Sequence, residues 1–441
     1  MVIKEFKLKN RDLYLNRLIS FQDTEIIKVI TGIRRCGKSS LLKLMAEHLR
    51  KSGVKDEQII ELNFESMTFY AMDNKQLYSY VKEKVLQNER MYLFLDEVQM
   101  IPAWQTAVNS FRIDFDCDIY VTGSNAFLLS SELSTYISGR YVEIKMLPLS
   151  FREFIDFNDF ILQSYTSITG ETRKRVIDEK NEMYELNELF DAYLKYGGMP
   201  SVIDVGLQQD KVTAMLDGLY SAVVIRDILE RGRRKEQRAI TDPILLRKLI
   251  MFLADNIGNN TSATSIGNIL VNEGLLEEGY RKVRPATQTI QAYIEALIES
   301  YIFYEIKRFD IKGKEFLRTL GKYYIVDIGL RNYLLGFREG DRGHILENII
   351  YFELLRRGYN VAIGKLGNKE IDFVATSTYE KKYIQVTDSM DSLEIRKREL
   401  TPLLSIRDNY EKIVLVLNYD LAQTIEGIKI IKISDFLLED Y

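Results

Sequence analysis

Apolar residues follow two rhythms along this chain. Up to about Pro148, short β-type runs alternate with stretches in which apolar positions recur every three or four residues. Ile26–Thr31, Gln58–Phe64, Met91–Asp96, Asp118–Gly123 and Tyr141–Met146 predict strands, and Ser39–Lys51 and Asn74–Gln87 predict helices between them. Strands alternating with helices imply a parallel sheet covered on both faces. Such sheets place ligands at the carboxyl ends of their strands. From 149 to 242 the pattern is mainly helical, with a turn at Gly197, Gly198 and Pro200 that ends the helix before it.

Residues 243–340 open with three amphipathic helices. The first spans 244–257, the second is Ser262–Leu270 with Ser262 as its N-cap, and the third is Ala286–Ser300. Ile290, Tyr293, Ile294, Leu297 and Ile298 share one face of the third. A strand over Tyr301–Arg308, a turn at 312–314 and a strand over Tyr323–Val326 follow, which is the order of a winged helix-turn-helix. Residues 341–441 return to an α/β pattern. Its elements are helix Ile345–Arg357, strands at Asn360–Gly364, Glu370–Ala375 and Lys382–Val386, helix Ser392–Asp408 and a strand from Lys412 to Leu417.

Candidate chemistry gathers at the strand ends of the first segment. The strand ending at Thr31 runs into Gly32-Ile33-Arg34-Arg35-Cys36-Gly37-Lys38-Ser39-Ser40, a Gly-x-x-x-x-Gly-Lys-Ser phosphate-binding loop between a predicted strand and a predicted helix. Glycines let successive N–H groups face phosphate, and the helix beginning at Ser39 adds its positive end. Lys38 would reach the β- and γ-phosphates, and the Ser39 hydroxyl would ligate Mg²⁺. Arg34 and Arg35 are extra cations near the phosphates, and Cys36 is a small residue that fits the loop. The next apolar strand ends in Asp96 and Glu97, suited to holding Mg²⁺ and polarising an attacking water respectively. Ser124 or Asn125 would orient that water or sense the γ-phosphate. Arg140 would be an arginine finger or γ-phosphate sensor.

These motifs, GIRRCGKSS, LFLDE, TGSNA and SGR, resemble the bacterial and archaeal AAA+ ATPases of the AAA-14 group. YLKYGGMP, RDI at 226–228, KYYIVDIGLRN, LENIIYFELLRRGY and EIDFV resemble the DUF4143 region that accompanies it. The resemblance implies an ATPase core (1–148), a helical lid or linker (149–242), the winged helix (243–340) and a nuclease-like α/β fold (341–441). It also implies ATP and Mg²⁺ as cofactors and a homo-oligomer.

For the winged helix, Thr287, Gln288 and Gln291 suit base edges, and Arg281, Lys282, Arg284, Lys307, Arg308, Lys312 and Lys314 suit phosphates. Glu295 and Glu299 on the same helix speak for a lid or a protein contact instead. The basic run at 231–238 is a solvated face or a contact with DNA or a neighbouring subunit. In the last segment Glu347, Glu370 and Asp372 resemble a PD-(D/E)XK nuclease arrangement. The expected acidic-x-Lys strand reads Gln385-Val386-Thr387, so a carboxylate and the lysine are missing from it and a degenerate domain for binding or assembly is expected.

Bulk properties change the picture little. The net charge of −4 excludes a general nucleic-acid coat, so any DNA contact must be a local basic face. Two cysteines and two histidines give neither a disulfide framework nor a zinc site. With no apolar run near the ~18 residues a membrane span requires and no signal-peptide pattern, a cytoplasmic protein is expected. The reading is a Mg²⁺-dependent, oligomeric ATPase acting on or with DNA. Its alternatives are a nucleotide-dependent regulatory switch with protein partners and a metal-dependent nuclease.

Overall fold

The computed structural model describes residues 8–124, 126, 137, 139–166, 170, 172–178, 180–223, 228–229, 240, 242–272, 285–418 and 423–439. The chain divides into two compact units. One is Met1–Pro148 with Glu299–Tyr301, and the other is Leu149–Ile298 with Ile302–Tyr441.

In the first unit α1 (Asp12–Ile19) precedes β1 (Ile27–Thr31), α2 (Lys38–Lys51), β2 (Ile59–Asn63), α3 (Asn74–Lys82), β3 (Met91–Asp96), α4 (Trp104–Asp114), β4 (Cys117–Gly123) and β5 (Tyr141–Lys145). The strands form a five-stranded sheet in the order β2-β3-β4-β1-β5, with every pairing parallel. β1, β3 and β4 are buried along their whole length. That burial is why they read as largely apolar runs without alternation. Two charged residues inside these strands answer each other. Lys28 pairs with Asp118, whose Oδ2 also accepts from the Tyr120 hydroxyl (2.9 Å) and the Asp23 N–H (2.9 Å). Asp73 caps α3 by accepting from the N–H groups of Lys75 and Gln76. Helix α4, which the hydrophobic pattern does not single out, lays Trp104, Val108 and Phe111 on the core.

The second unit begins with α5 (Phe151–Phe157) and a small antiparallel sheet of β6 (Ile161–Thr166), β7 (Thr172–Ile177) and β8 (Met183–Tyr184). This sheet corrects the helical expectation for 149–242. Its strands are short and polar, and the outward-facing side of an antiparallel pair needs no apolar run. Helices α6 (Leu186–Tyr196), α7 (Pro200–Asp204), α8 (Gln209–Ser221), α9 (Pro243–Asp255), α10 (Ala263–Asn272) and α11 (Thr287–Glu299) follow. The Ser262 hydroxyl accepts from the Ser265 N–H at 3.2 Å, capping α10.

Next come β9 (Phe303–Asp310), β10 (Glu315–Ile325), α12 (Ile328–Leu335), α13 (Arg342–Arg356), β11 (Asn360–Leu366), β12 (Lys369–Thr376), β13 (Lys381–Ser389), α14 (Leu393–Leu404), β14 (Glu411–Asn418), β15 (Thr424–Ile425), β16 (Ile428–Lys432) and α15 (Ile433–Leu437). All eight strands form one sheet, ordered β10-β9-β11-β12-β13-β14-β16-β15. The hairpin expected as the wing is β9–β10 at one edge of this sheet: β9 pairs antiparallel with β10 on one side and parallel with β11 on the other. Among the described residues no helix is long and apolar enough to cross a membrane.

Candidate functional site

At the carboxyl end of β1 the backbone leaves ordinary conformations. Gly32 has φ +145° and Gly37 has φ +105°, regions that L side chains rarely adopt. A Cβ on Gly32 would lie 2.1 Å from the Met146 carbonyl oxygen, so only glycine lets the loop pass this close to the chain leaving β5. Gly37 caps α2, and Lys38 is its first helical residue. The open N–H groups and positive end of a 14-residue helix thus terminate in the loop.

The Lys38 ammonium is buried. It donates to the carbonyls of Gly32 (3.0 Å) and Ile33 (3.1 Å) and lies 4.0 Å from Glu97 Oε1. Ile33 and Cys36 are fully buried, and burial pushes the Cys36 thiol above its usual range. That fits a packing role and keeps the thiol protonated. Arg35, Ser39 and Ser40 are exposed. Arg34 Nη1 pairs with Glu65 Oε1 at 2.9 Å.

Asp96 and Glu97 end β3 side by side and divide their contacts. Asp96 accepts from the Thr122 hydroxyl (2.6 Å) and Asn63 Nδ2 (3.1 Å). Burial raises its pKa, the hydrogen bonds from Thr122 and Ser39 oppose the rise, and the Glu97 charge adds to it. Glu97 sits in the left-handed region at φ 54°, ψ 46°. Its N–H donates to Thr122 Oγ1 at 2.9 Å. Its carboxylate accepts from Ser124 Oγ at 3.3 Å and from the Gln99 amide.

Asn63, Gln99 and Thr122 were missed in the sequence. Asn63 ends β2 in register with Asp96, and Thr122 lies on β4, the strand next to β3. A polar residue closing each apolar run was the available signal. Arg11 was missed as well. This buried residue donates Nη1 to the carbonyls of Cys36 (3.0 Å) and Leu147 (2.9 Å), tying the loop to the chain after β5.

Ser124 lies at the site, whereas Asn125 lies outside the described residues, as do Arg281, Lys282, Arg284 and the basic run at 231–238. Arg140 is exposed just before β5, where its carbonyl accepts from the Ile27 N–H at 2.9 Å.

The residues present fit a magnesium nucleotide. Of the two adjacent buried carboxylates, Glu97 lies 4.0 Å from the Lys38 ammonium, and the Ser39 hydroxyl and Asp96 already share a hydrogen bond. Among the described residues no group of three or more His, Cys, Asp or Glu side chains is arranged for a metal. Mg²⁺ at nucleotide sites needs only one or two carboxylates, the remaining oxygens coming from phosphate and water.

The second unit holds a different constellation. Lys322, on β10, lies 2.8 Å from Glu370 Oε1 and 3.6 Å from Glu347 Oε2. Asn260 donates to Glu370 (2.9 Å) and the Tyr324 hydroxyl to Glu347 (3.1 Å). Burial alone would lower Lys322, but the charges of Glu347, Asp372 and Glu370 overcome it and raise its pKa. Burial, then the Glu347 charge, pushes Asp372 well above the carboxylate range. The lysine that meets these carboxylates comes from β10, far away in sequence, and not from the Gln385-Val386-Thr387 strand. Gln385 itself accepts the Asp372 N–H at 2.9 Å and donates to Glu399 at 3.2 Å.

The YLKYGGMP and VDIGLRN motifs also meet, in a structural joint. Asp327 accepts the N–H groups of Gly198 (2.7 Å) and Leu330 (3.0 Å), and Asn332 caps α6 through the carbonyls of Leu194 and Lys195. Burial raises Asp327 to about 6 against these hydrogen bonds.

Comparison with known proteins places this geometry. Residues 24–155 match the AAA domain family, and residues 187–341 match a domain of unknown function, DUF8612, in place of the DUF4143 region the resemblance implies. An uncharacterised protein of Haemophilus influenzae is 39% identical over 434 residues, covering 98% of each chain. The chain belongs to one family with it. An uncharacterised protein of Methanocaldococcus jannaschii is similar at 28% identity over 95% of this chain and 84% of its own. Among solved structures, the Aeropyrum pernix ORC1 protein in complex with DNA aligns over 74% of this chain and 92% of its own at 13% identity. Its TM-score of 0.30 carries no argument about this family.

Proposed function

We propose that the first unit hydrolyses ATP with Mg²⁺. The single observation that carries this reading is the meeting, at one sheet end, of Lys38 on a glycine loop, Ser39 bonded to Asp96, and Glu97 4.0 Å from the lysine. Lys38 exchanges its loop carbonyls for the β- and γ-phosphates, which the loop N–H groups and the α2 terminus also receive. Ser39 and Asp96 would hold Mg²⁺, which when bound offsets charge on the phosphate oxygens. Glu97 accepts the proton of the attacking water. The water oxygen bonds to the γ-phosphorus as the bridging bond breaks, and ADP leaves with that bond's electron pair. Arg140, exposed at the surface, is proposed to act on the nucleotide of a neighbouring copy in an oligomer. We place the protein in the cytoplasm.

The output is proposed to run through α11 to DNA. Gln288 and Gln291 lie on its exposed face, and Lys307, Lys312 and Lys314 are exposed on the β9–β10 hairpin. A protein-directed switch is the second reading. The observations that favour it are the exposed Glu295 on that same face and the pairing of β9 with β11, which leaves the hairpin no free wing strand on that side. ATP turnover measured with duplex, single-stranded and branched DNA separates the two readings. Stimulation of about tenfold or more by one form, absent in Lys38→Ala, is expected for the DNA reading. Turnover indifferent to every DNA would move the output to protein partners.

A further inference from the structure

We infer that Gln99 orients the attacking water together with Glu97, an assignment that rests on reading Glu97 as the base. Gln99 lies in the single 3-10 turn Val98–Met100 directly after β3. The left-handed conformation of Glu97, fixed through its N–H on Thr122, folds this turn back so that the Gln99 side chain meets the carboxylate two residues earlier. An ionised carboxylate only accepts hydrogen bonds. The Gln99 nitrogen must therefore face Glu97, which fixes the direction of its oxygen.

That oxygen, Gln99 Oε1, is buried and has no donor among the described residues. A buried acceptor without a donor is uncommon and calls for an explanation at the site it lines. Here it lies on the side chain that grips the proposed base. Glu97 Oε2 is taken by the Gln99 amide and by Ser124, whereas Oε1 faces Lys38 at 4.0 Å. As Lys38 turns to phosphate, Glu97 Oε1 becomes the free basic atom. A water between the two side chains gives one proton to Glu97 Oε1 and directs its second hydrogen to Gln99 Oε1. Its lone pair then points at the γ-phosphorus. The second hydrogen stays on the oxygen that becomes part of orthophosphate, so Gln99 is unchanged after turnover. A glutamine amide orients the attacking water in other nucleotide hydrolases of the phosphate-loop class.

The test uses the full chain and measures kcat, fluorescent ATP-analogue binding with Mg²⁺, and melting temperature. Gln99→Met keeps the side-chain length and removes both polar atoms. It is expected to lower kcat by about 10- to 100-fold, with nucleotide Kd within about twofold of wild type. Gln99→Glu keeps the length and an acceptor oxygen but removes the N–H that holds Glu97, and is expected to lower kcat by about 10-fold or more with Kd likewise unchanged. A stabilising role alone would move the melting temperature and leave kcat of the folded enzyme in place. Wild-type kcat in either variant would overturn the inference. Should Gln99→Met fail to fold, Gln99→Glu decides. Glu97→Gln is measured alongside. If it keeps wild-type turnover, the reading of Glu97 as base fails; if it is inactive while Gln99→Met is not, the Gln99 assignment alone fails.

Discussion

Lys38 and Lys322 both stand among carboxylates, and they are held in opposite ways. Lys38 rests on two backbone carbonyls, with its nearest carboxylate at 4.0 Å. Lys322 is bound directly to Glu370 at 2.8 Å, with Glu347 at 3.6 Å. Neutral dipoles release an ammonium to phosphate at modest cost, because the arriving anion supplies charge that the carbonyls lack. A lysine already neutralised by directly bound carboxylates gains nothing from a second anion and leaves unpaired charges behind if it moves. The first arrangement suits a ligand that comes and goes, and the second suits a permanent internal contact. Similar residue types are therefore no guide to similar chemistry until their partners are known.

The comparison breaks most visibly at Lys322. Lys322→Met should destabilise the protein by about 1–3 kcal/mol, since it removes a buried cation from carboxylates that are only partly screened by solvent. Urea unfolding of the full chain measures this. A loss well under 1 kcal/mol would mean that the cluster is solvated and open to other cations.

Asp327 sharpens the contrast from the other side, because backbone N–H groups and no lysine hold its carboxylate. Its pKa of about 6 exceeds the ordinary 3.8. The unfolded chain therefore loses this proton first as pH rises. The stabilising contribution is complete below about pH 4 and is lost by about pH 6, amounting to about 3 kcal/mol. Asp327→Asn does not titrate, so the stability of wild type relative to this variant should fall by that amount between pH 4 and 7. Parallel pH dependences in denaturant melts would show that Asp327 stays ionised throughout.

How legible each region was follows from how local its chemistry is. The phosphate loop reads directly from Gly32 to Ser39, because strand, turn and helix N-terminus are contiguous and each residue type has one job. Asp96 and Glu97 read from the end of an apolar run. Asn63, Thr122 and Arg11 did not, since their approach depends on strand order β2-β3-β4-β1-β5 and on a side chain crossing 136 residues of sequence to Leu147. Lys322 was hidden for the same reason, since it reaches Glu347 and Glu370 from β10. The β6–β7 pair was illegible because Thr172-Arg-Lys-Arg carries no apolar alternation. The hairpin was legible, but the parallel pairing of β9 with β11 was not, because it joins strands about 50 residues apart.

The central claim is that the loop and the two carboxylates at the end of β3 form one hydrolytic site. Its most direct test is ATP turnover by the purified chain with Mg²⁺, beside Lys38→Ala and Glu97→Gln, with bound nucleotide quantified in each. The account predicts turnover in wild type, its loss by about 100-fold or more in both variants, and nucleotide retained by Glu97→Gln but not by Lys38→Ala. Equal turnover in wild type and Glu97→Gln, or nucleotide binding unaffected by Lys38→Ala, would contradict it.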